Sequence, residues 1–544
     1  MARAAWLGLL QAGPLQQAAN LQQVSIVTVP AARGTITDRN GVVLALSEAA
    51  DEIVADPYLI RHPVKVAGEL APLLKMPETT VLGDLTRPHT GFVYVAYDAP
   101  AASGTEISDM RINGISTVPV EDRVYPRGAQ AAQVLGWVGT NDDGLAGIEY
   151  LYNNVLRGRN GERKIVNDAV GQPIAVDQLK PMVTGKTIAL TIDAPLQDEV
   201  EQVLAGVGAQ YSPKGATAIV MNPDNGQILA LANWPAINAN NVSSSPESAT
   251  EDQAVGFSYE PGSTFKAITV AGALQDGLVT PSTEIPVPSE LDVDGYTITD
   301  AEDHPDETLS VAQVLKVSSN IGADEIASKM GPQNFDYWVH RFGFGKLTGV
   351  DLPGEQTGEV LHWWQYSGVS MYNLPFGQGE SVTPIQMATA YSAIANGGIL
   401  RSPRIVQSIG GQPAPEPAGT RVISPTVASE LRDMLRGVLA DGGTASGAAI
   451  PGYDLAGKTG TAQVVIDGKY SNNLFDSSFI GMVPASNPKL VVAVVVNQTE
   501  QYGGSIAAPA FQKIVGWAVP YFGINPCPSP CPASAENPAM PSTP

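Results

Sequence analysis

The chain has 544 residues, of which 44% are hydrophobic, so it is long enough for several domains with packed cores. The net charge of -23 argues against binding to nucleic acid or to an anionic membrane surface, because both need positive charge. Both cysteines, Cys527 and Cys531, stand in the last segment, which excludes a disulfide framework for the folded part. The five histidines show no metal-ligand spacing, so we expect neither a metal site nor a cofactor.

Residues 1–23 begin with a short apolar run, Ala4–Leu10, behind Arg3. A helix that crosses a bilayer needs about 20 apolar residues, and this run is much shorter. We interpret 1–23 as the remnant of a membrane anchor whose earlier part is missing. A weak signal sequence and an amphipathic helix that continues to Gln23 are the alternatives.

Residues 24–183 have the pattern of a structural module with mixed secondary structure. Asp38–Gly41 is a turn signal between two short strand patterns, and Arg123–Gly128 precedes a short helix. Gly147–Glu149 opens another helix. Because this part shows no pairing of a nucleophile with a base, we expect it to be scaffold.

A second domain is predicted from residue 184 to residue 524. Leu190–Asp193 is a strand pattern that leads into a helix, and the boundary is placed just before it, near Val183. Gly215–Met221 and Ile228–Ala232 are apolar runs joined by a turn that contains Asn225-Gly226. This arrangement is a strong hairpin signal and predicts the start of a sheet.

The segment Tyr259–Lys266 contains the first candidate for chemistry. Its Pro-Gly turn precedes an apolar run, Ala267–Leu274, which predicts a helix with Ser263 in its first turn. Ser263 and Lys266 are three residues apart and therefore share one helix face. A helix N-terminus supplies free backbone N–H groups, and a neutral lysine one turn later can accept the serine's proton. Alone, a Ser-x-x-Lys pair is weak evidence, because it arises by chance in a chain this long.

Ser318-Ser319-Asn320 is the second candidate. Ser310 and Gln313 form a capping-box pattern, and the helix that they start is predicted to end at Val317. A new helix begins at Ile321, so the motif stands at a break that turns polar side chains toward a cleft. Serine and asparagine are also common helix caps, which is the structural alternative.

The glycine-rich segment Phe376–Gly379 separates the second candidate from the third. Its glycines either let the backbone approach a substrate or turn a corner. Helices are predicted over Gln386–Ala395 and Thr426–Leu439.

Lys458-Thr459-Gly460-Thr461 is the third candidate, and a strand pattern continues from it to Val465. Phe479–Pro484 and Leu490–Asn497 are further strand patterns, followed by a closing helix over Ala508–Tyr521. Strands from both ends of the domain are therefore predicted to form one antiparallel sheet flanked by helices. The tail, 525–544, is rich in Pro and Ser and predicted to be extended, disordered and without a function. A bridge between its two cysteines, or their binding to a partner, is the alternative.

Three short motifs in this order form the set that serine acyl-transfer enzymes of the penicillin-recognising class use. Over nearly its whole length the chain resembles the class B penicillin-binding proteins, which are peptidoglycan D,D-transpeptidases. The detail most resembles the division-specific members, with the elongation members as the close alternative. The resemblance implies a multidomain α/β (α+β) fold, with an N-terminal mixed pedestal domain and a transpeptidase domain whose antiparallel sheet is flanked by helices. It rests on Arg33–Ala45, Arg123–Gly128, Gly147–Glu149, the three motifs, Phe376–Thr383 and Ser478–Pro484.

The resemblance also implies a role for each motif residue. Ser263 would be the nucleophile and Lys266 its general base, with the two side chains within reach of each other and Lys458 facing both. The N–H groups of Ser263 and Thr461 would form the oxyanion hole, and Ser318, helped by Lys458, would protonate the leaving D-alanine. The substrate would be held by the side chains of Asn320, Thr459 and Thr461, and Gly460 would leave room for it along the strand edge.

The implied partners are peptidoglycan stem peptides, β-lactams, a polytopic membrane glycosyltransferase and other division proteins, and no nucleic acid. The family has one full membrane helix, of which this chain has at best a remnant, and the catalytic domain is expected outside the cytoplasm. A β-lactamase, a D,D-carboxypeptidase, and a non-catalytic β-lactam sensor or division scaffold of the same fold are the alternatives.

Overall fold

The chain folds into two parts that are joined through one sheet. The computed structural model describes residues 24–167, 173–293, 295–528 and 531. The strands of the described residues are, in chain order, β1 (Val24–Val29), β2 (Ile36–Thr37), β3 (Val43–Ala55), β4 (Val93–Pro100), β5 (Ile115–Val124), β6 (Gly161–Asn167), β7 (Pro173–Lys180), β8 (Ile188–Leu190), β9 (Gly215–Met221), β10 (Ile228–Trp234), β11 (Glu284–Val287), β12 (Leu291–Val293), β13 (Tyr296–Ile298), β14 (Glu307–Ser310), β15 (Ile399–Arg401), β16 (Val406–Ile409), β17 (Gln412–Pro413), β18 (Gly419–Arg421), β19 (Ala456–Ile466), β20 (Lys469–Val483) and β21 (Leu490–Thr499).

Helices stand between these strands in both parts. The α-helices of the described residues are α1 (Pro63–Leu74), α2 (Glu78–Leu85), α3 (Ala101–Asp109), α4 (Ala132–Leu135), α5 (Gly147–Leu151), α6 (Asn153–Leu156), α7 (Ala194–Tyr211), α8 (Gln253–Gly256), α9 (Lys266–Gln275), α10 (Val311–Val317), α11 (Asn320–Met330), α12 (Pro332–Arg341), α13 (Pro384–Ala395), α14 (Pro425–Arg436) and α15 (Ala507–Tyr521). Short 3-10 helices cover Val242–Ser244, Glu247–Ala249, Gly262–Phe265, Trp363–Gln365, Ser370–Tyr372, Leu374–Phe376, Gly437–Leu439 and Ser446–Ala448.

The N-terminal part is built on the long strand β3. This strand pairs antiparallel with β4 on one side and with β5 on the other, and α1, α2 and α3 pack beside it. Helix α1 buries Val66, Ala67, Leu70 and Ala71, which repeat at helical spacing along one face. These side chains pack with Ile53 of β3 into a small core of their own. Strands β1, β6 and β7 form a separate three-stranded sheet.

A buried ion cluster fixes three segments of the N-terminal part to one another. Arg33 Nε lies 2.5 Å from Glu149 Oε2, and Arg123 Nη2 lies 2.6 Å from Glu149 Oε1. All three side chains are buried, and buried charges need such pairing. The arginines and the glutamate of the predicted scaffold segments therefore meet at one point.

One sheet crosses the predicted domain boundary near Val183. Strand β8 pairs in parallel with β2 of the N-terminal part and antiparallel with β16 of the C-terminal part. The resulting seven-stranded sheet has the order β17-β16-β8-β2-β3-β4, with β5 also paired to β3. The main hydrophobic core likewise contains side chains from both parts, such as Ile36 and Ile405. Backbone hydrogen bonds and shared packing thus connect the two parts.

The C-terminal part contains the predicted antiparallel sheet, in the order β10-β9-β21-β20-β19. The predicted hairpin is present as β9 and β10, and strands from both ends of the domain meet where β21 pairs with β9. Every residue of β9 is buried, because α7 and α15 cover one face of the sheet and α13 packs on the other. Strand β19 lies at the open edge, where it carries the Lys458–Thr461 motif.

Two predicted elements differ in extent from the structure. Strand β20 begins at Lys469, ten residues before the predicted start at Phe479. The sequence did not indicate its first half, because these polar residues are held in the strand by pairing with β19 and have no apolar pattern. The predicted helix Thr426–Leu439 ends as an α-helix at Arg436 and continues as the 3-10 turn Gly437–Leu439.

The ends of the chain are described only in part. The predicted anchor remnant, 1–23, lies outside the described residues, and no helix among those described has the length and apolarity to cross a bilayer. Of the tail, residues 525–528 and 531 are described. Cys527 forms a disulfide with Cys531, and its N–H donates to the carbonyl of Gly452 at 2.8 Å.

Candidate active site

The first motif forms a tight turn at the start of a buried helix. Gly262–Phe265 is a 3-10 helix that continues into α9, so Ser263 and Lys266 lie one above the other on the same side. Ser263 is half-buried, whereas Lys266 is fully buried. The Gly262 N–H donates to the Gly377 carbonyl at 2.9 Å, and Tyr391 Oη donates to the Thr264 carbonyl at 2.7 Å. The turn that presents the serine is therefore held from two sides.

The second motif stands at the predicted break between two helices. The Ser310–Gln313 capping box begins α10, which ends at Val317, and Ser318 adopts a left-handed conformation with φ 67°. The next helix, α11, begins at Asn320, and Asp300 Oδ1 accepts its first backbone N–H at 2.5 Å. The αL residue reverses the chain direction and exposes the Ser318 side chain between the helices.

The third motif lies on the edge strand β19 next to the serine turn. Lys458 is fully buried, and Thr459 is 6% exposed. The hydroxyls of Thr459 and Thr444 are hydrogen-bonded at 2.7 Å, and Thr461 Oγ1 accepts the Gly503 N–H at 3.0 Å. A methyl group added at Gly262 would lie 3.2 Å from the Thr461 carbonyl, which shows how closely the serine turn packs against this strand.

Both lysines converge on Ser318. Lys458 Nζ donates to Ser318 Oγ at 2.8 Å. Lys266 Nζ donates to the Ser318 carbonyl at 2.5 Å and to Asn320 Oδ1 at 2.7 Å, and lies 3.4 Å from Ser318 Oγ. The three motifs therefore meet at one place, with the serine hydroxyl of the second motif between the two amines.

Burial changes the protonation of both amines. It lowers the pKa of Lys266 to about 7, against the opposing effect of the Asp300 and Asp324 carboxylates. The pKa of Lys458 lies well below its ordinary value, first because of burial and second because of the charge on Lys266. Near neutral pH the Lys266 amine is therefore divided between its neutral and charged forms, as a general base requires.

The geometry bears on two expectations about the site, which stay predictions. Among the hydrogen bonds of the described residues, none joins Ser263 Oγ to Lys266 Nζ, because the lysine donates to Ser318 and Asn320 instead. Catalytic hydrogen bonds are often long without a substrate and shorten when one binds. The second expectation concerns Gly460, where an added methyl group would lie 2.3 Å from Ser478 Oγ and 2.8 Å from the Pro261 carbonyl. This glycine therefore makes room for the serine turn, and its role beside a substrate stays a prediction.

Two residues of the site, Asp300 and Thr444, were not predicted from the sequence. Asp300 caps α11 and faces Lys266, and Thr444 holds the Thr459 hydroxyl. The Phe376 ring centroid lies 6.0 Å from Lys266 Nζ. The glycine-rich signal pointed to the Phe376 segment, and Gly377 with φ 82° lets it contact the serine turn. Nothing in the local pattern of Asp300 or Thr444 indicates their partners, because these lie 20 and 15 residues away.

Both parts of the chain match known protein families. Residues 216–516 match the family described as penicillin binding protein transpeptidase domain, and residues 28–190 match the penicillin-binding protein dimerisation domain. The chain belongs to the class B penicillin-binding proteins, the peptidoglycan D,D-transpeptidases of the serine acyltransferase type. These matches confirm the predicted family, fold class and enzyme class.

Individual relatives are similar over most of their length. Stage V sporulation protein D of Bacillus subtilis is 34% identical over 511 residues, which cover 91% of this chain and 79% of the relative. Peptidoglycan D,D-transpeptidase FtsI of Escherichia coli is 31% identical over 537 residues, which cover 97% of this chain and 90% of that relative. The crystal structure of penicillin binding protein 3 from Mycobacterium tuberculosis, complexed with aztreonam, superposes with a TM-score of 0.73 at 28% identity and covers 94% of this chain and 100% of that one.

Proposed function

We propose that Ser263 is the nucleophile and Lys266 its general base in a reaction on the D-alanyl-D-alanine end of a stem peptide. The observation that carries this proposal is the convergence of two fully buried lysines on Ser318, beside the serine turn. Neither amine has a carboxylate within salt-bridge distance among the described residues, so burial of the pair is costly. Perturbed, unpaired amines around an accessible hydroxyl are typical of catalytic sites.

In the acylation step, Ser263 Oγ attacks the carbonyl carbon between the two D-alanines while its proton passes to Lys266 Nζ. The backbone N–H groups of Ser263 and Thr461 bind the oxyanion, each contributing about 3 kcal/mol. When the C–N bond breaks, the departing D-alanine amine receives a proton through Ser318. The 2.8 Å hydrogen bond from Lys458 to Ser318 Oγ supports this transfer, because Lys458 can replace the proton that Ser318 gives up.

The other motif residues bind the substrate. The Asn320 side chain accepts from Lys266 and donates to the Thr299 carbonyl at 3.0 Å, which leaves one amide hydrogen for the stem peptide. Thr461 accepts a backbone N–H and retains its own hydroxyl hydrogen for the terminal carboxylate. Thr459 binds the same carboxylate, and Lys458 contributes positive field when it is charged. An amine of a second stem peptide then attacks the acyl-enzyme and forms the cross-link.

The same site suits covalent inhibition by β-lactams, which carry a strained amide and a similarly placed carboxylate. Mass spectrometry after exposure to a labelled penicillin tests the assignment. We expect one adduct on Ser263 that persists for minutes, and none in Ser263→Ala. An adduct on another residue contradicts the assignment of the nucleophile, and rapid release of hydrolysed penicillin indicates a β-lactamase. Release of D-alanine from a stem peptide without cross-linked product indicates a D,D-carboxypeptidase.

The biological setting that we propose is septal wall synthesis outside the cytoplasm, with a polytopic membrane glycosyltransferase and other division proteins as partners. The resemblance to the division-specific members supports the septal role. The Cys527–Cys531 disulfide supports the compartment, because disulfides persist in oxidising surroundings. Depletion in growing cells tests the role, since loss of a septal enzyme blocks division, whereas loss of an elongation enzyme changes cell shape. A Ser263→Ala protein that fully restores growth would instead support a scaffold role.

A further inference from the structure

Helix α12 and the loop that follows it carry three side chains that face one another outside the three motifs. Asp336 and His340 lie one helical turn apart on α12, and His362 stands just before the 3-10 helix Trp363–Gln365. Asp336 Oδ1 lies 3.0 Å from His340 Nε2 and 3.4 Å from His362 Nδ1. The three potential ligand atoms all lie within 4.8 Å of one another.

The two separations from Asp336 Oδ1 fit a zinc ion. Tetrahedral Zn²⁺ binds histidine nitrogen and carboxylate oxygen at about 2.0–2.1 Å, which places neighbouring ligand atoms about 3.3 Å apart. Two histidines and one carboxylate are also a common ligand set for zinc sites with an open fourth position. The side chain of His362 is 44% exposed, so water can reach that position.

Two of the polar atoms are buried without a hydrogen-bond partner among the described residues. They are Asp336 Oδ1 and His340 Nε2, and Asp336 as a residue is only 7% exposed. An ion pair between a protonated His340 and Asp336 is the competing explanation, and zinc titration distinguishes the two. Burying polar groups without partners is unfavourable, and a bound cation would satisfy both.

The surroundings orient both rings as metal ligands. His340 Nδ1 lies 3.1 Å from the Phe344 carbonyl, and an N–H donated there leaves Nε2 with a free lone pair toward Asp336. The His362 ring stacks on Trp364 with centroids 4.3 Å apart. The His340 contact has the form of the outer-shell hydrogen bond that fixes a histidine ligand, and the stacking restricts the orientation of the His362 ring.

We propose that Asp336, His340 and His362 bind one Zn²⁺ ion with a water molecule as the fourth ligand. This proposal revises the expectation of no metal site, which missed the cluster because His362 lies 22 residues after His340 in the sequence. Thiolate ligands play no part, because both cysteines of the chain are in the disulfide. The ion would tie α12 to the segment that leads on to Phe376 beside Lys266.

The test is zinc binding by the full chain after chelator treatment, measured in competition with a chromophoric chelator. We expect one equivalent of Zn²⁺ to bind, and His362→Phe to weaken binding at least tenfold while its ring still packs on Trp364. The matched control is His89→Asn, which removes an exposed imidazole elsewhere and leaves binding unchanged. The thermal unfolding midpoint should rise with zinc concentration for the wild type and the control, and not for His362→Phe.

A second variant and a second metal keep the test independent of folding defects. Asp336→Asn keeps the shape of the side chain and should also lose the zinc. Co²⁺ in place of zinc should give visible bands of a four-coordinate site in the wild type and in His89→Asn, and not in His362→Phe or Asp336→Asn. Absence of a bound equivalent in the wild type, or equal affinity in the wild type and His362→Phe, would overturn the proposal. These readouts do not involve acylation, so their outcome is separate from the roles of Ser263 and Lys266.

Discussion

The rate of acylation by a penicillin should depend on pH through Lys266. The general base must be neutral to accept the proton of Ser263, and burial lowers the pKa of Lys266 to about 7. With that pKa about one amine in eleven is neutral at pH 6 and about ten in eleven at pH 8. The second-order rate constant should therefore rise about tenfold between these two values. A lysine with an ordinary pKa of about 10.4 would be neutral in roughly one molecule in 2,500 at pH 7. The acylation rate would then not level off near that pH.

A single substitution should move this profile in a known direction. The Asp300 carboxylate raises the pKa of Lys266, so Asp300→Asn should lower it further and shift the acid limb to lower pH. Asparagine also accepts backbone N–H groups as a helix cap, so the start of α11 should be preserved. The matched control is Asp306→Asn, because Asp306 also accepts a backbone N–H, from Ser289, and does not act on Lys266.

The assay is the rate of covalent labelling of Ser263 by a fluorescent penicillin under subsaturating conditions, which reports the pKa values of the free enzyme. A rate that stays constant from pH 6 to pH 8 would refute the assignment of Lys266 as the base. An Asp300→Asn profile displaced to higher pH would refute the electrostatic reasoning, even if labelling itself were normal.

Three further substitutions test the structure elsewhere. Glu149→Gln removes the carboxylate that pairs with two buried arginines and should reduce the free energy of unfolding by about 3–5 kcal/mol in denaturant titrations. The control Glu162→Gln breaks an exposed ion pair and should reduce it by at most about 1 kcal/mol. Gly460→Ala should displace the serine turn and slow penicillin labelling about 10- to 100-fold. The control Gly206→Ala should be labelled at the normal rate, because a methyl group added there meets no neighbouring atom. Thr444→Val removes the hydrogen bond to Thr459, which is proposed to bind the carboxylate, and should weaken penicillin binding by about 0.5–1.5 kcal/mol in the concentration dependence of the labelling rate. Unchanged labelling would contradict a role for that hydroxyl pair.

The sequence predicted those features that depend on short-range patterns. The Ser310 capping box, the break at Ser318 and the β9–β10 hairpin each have a local cause, namely side-chain capping, a helix end or a two-residue turn. The structure contains all three where they were expected. The fold class also followed, because the order of strand and helix patterns determines which ends of the domain can share a sheet.

Features that depend on long-range pairing were not predictable in the same way. Strand β8 is only three residues long, so nothing in its pattern indicates that it joins β2 to β16 across the expected boundary. The cluster of Asp336, His340 and His362 was missed for a related reason. Its spacing of 4 and 22 residues gives no metal signal until the loop after α12 folds back on the helix.

Close contacts between backbone segments determine how the three motifs are positioned relative to one another. The motif residues alone did not predict these positions, because the contacts are made by neighbouring backbone. A methyl group at Gly377 would lie 2.3 Å from the Gly262 carbonyl, and one at Gly460 would lie 2.8 Å from the Pro261 carbonyl. The serine turn is therefore held between the Phe376 segment on one side and β19 on the other at distances that only glycine permits. Because the serine turn is held between these two segments, Lys266 and Lys458 lie around Ser318, where burial disfavours a charge on either amine. A proton on Lys266 disfavours a proton on Lys458, so in the proposed mechanism the pair can pass a single proton between the attacking and leaving groups.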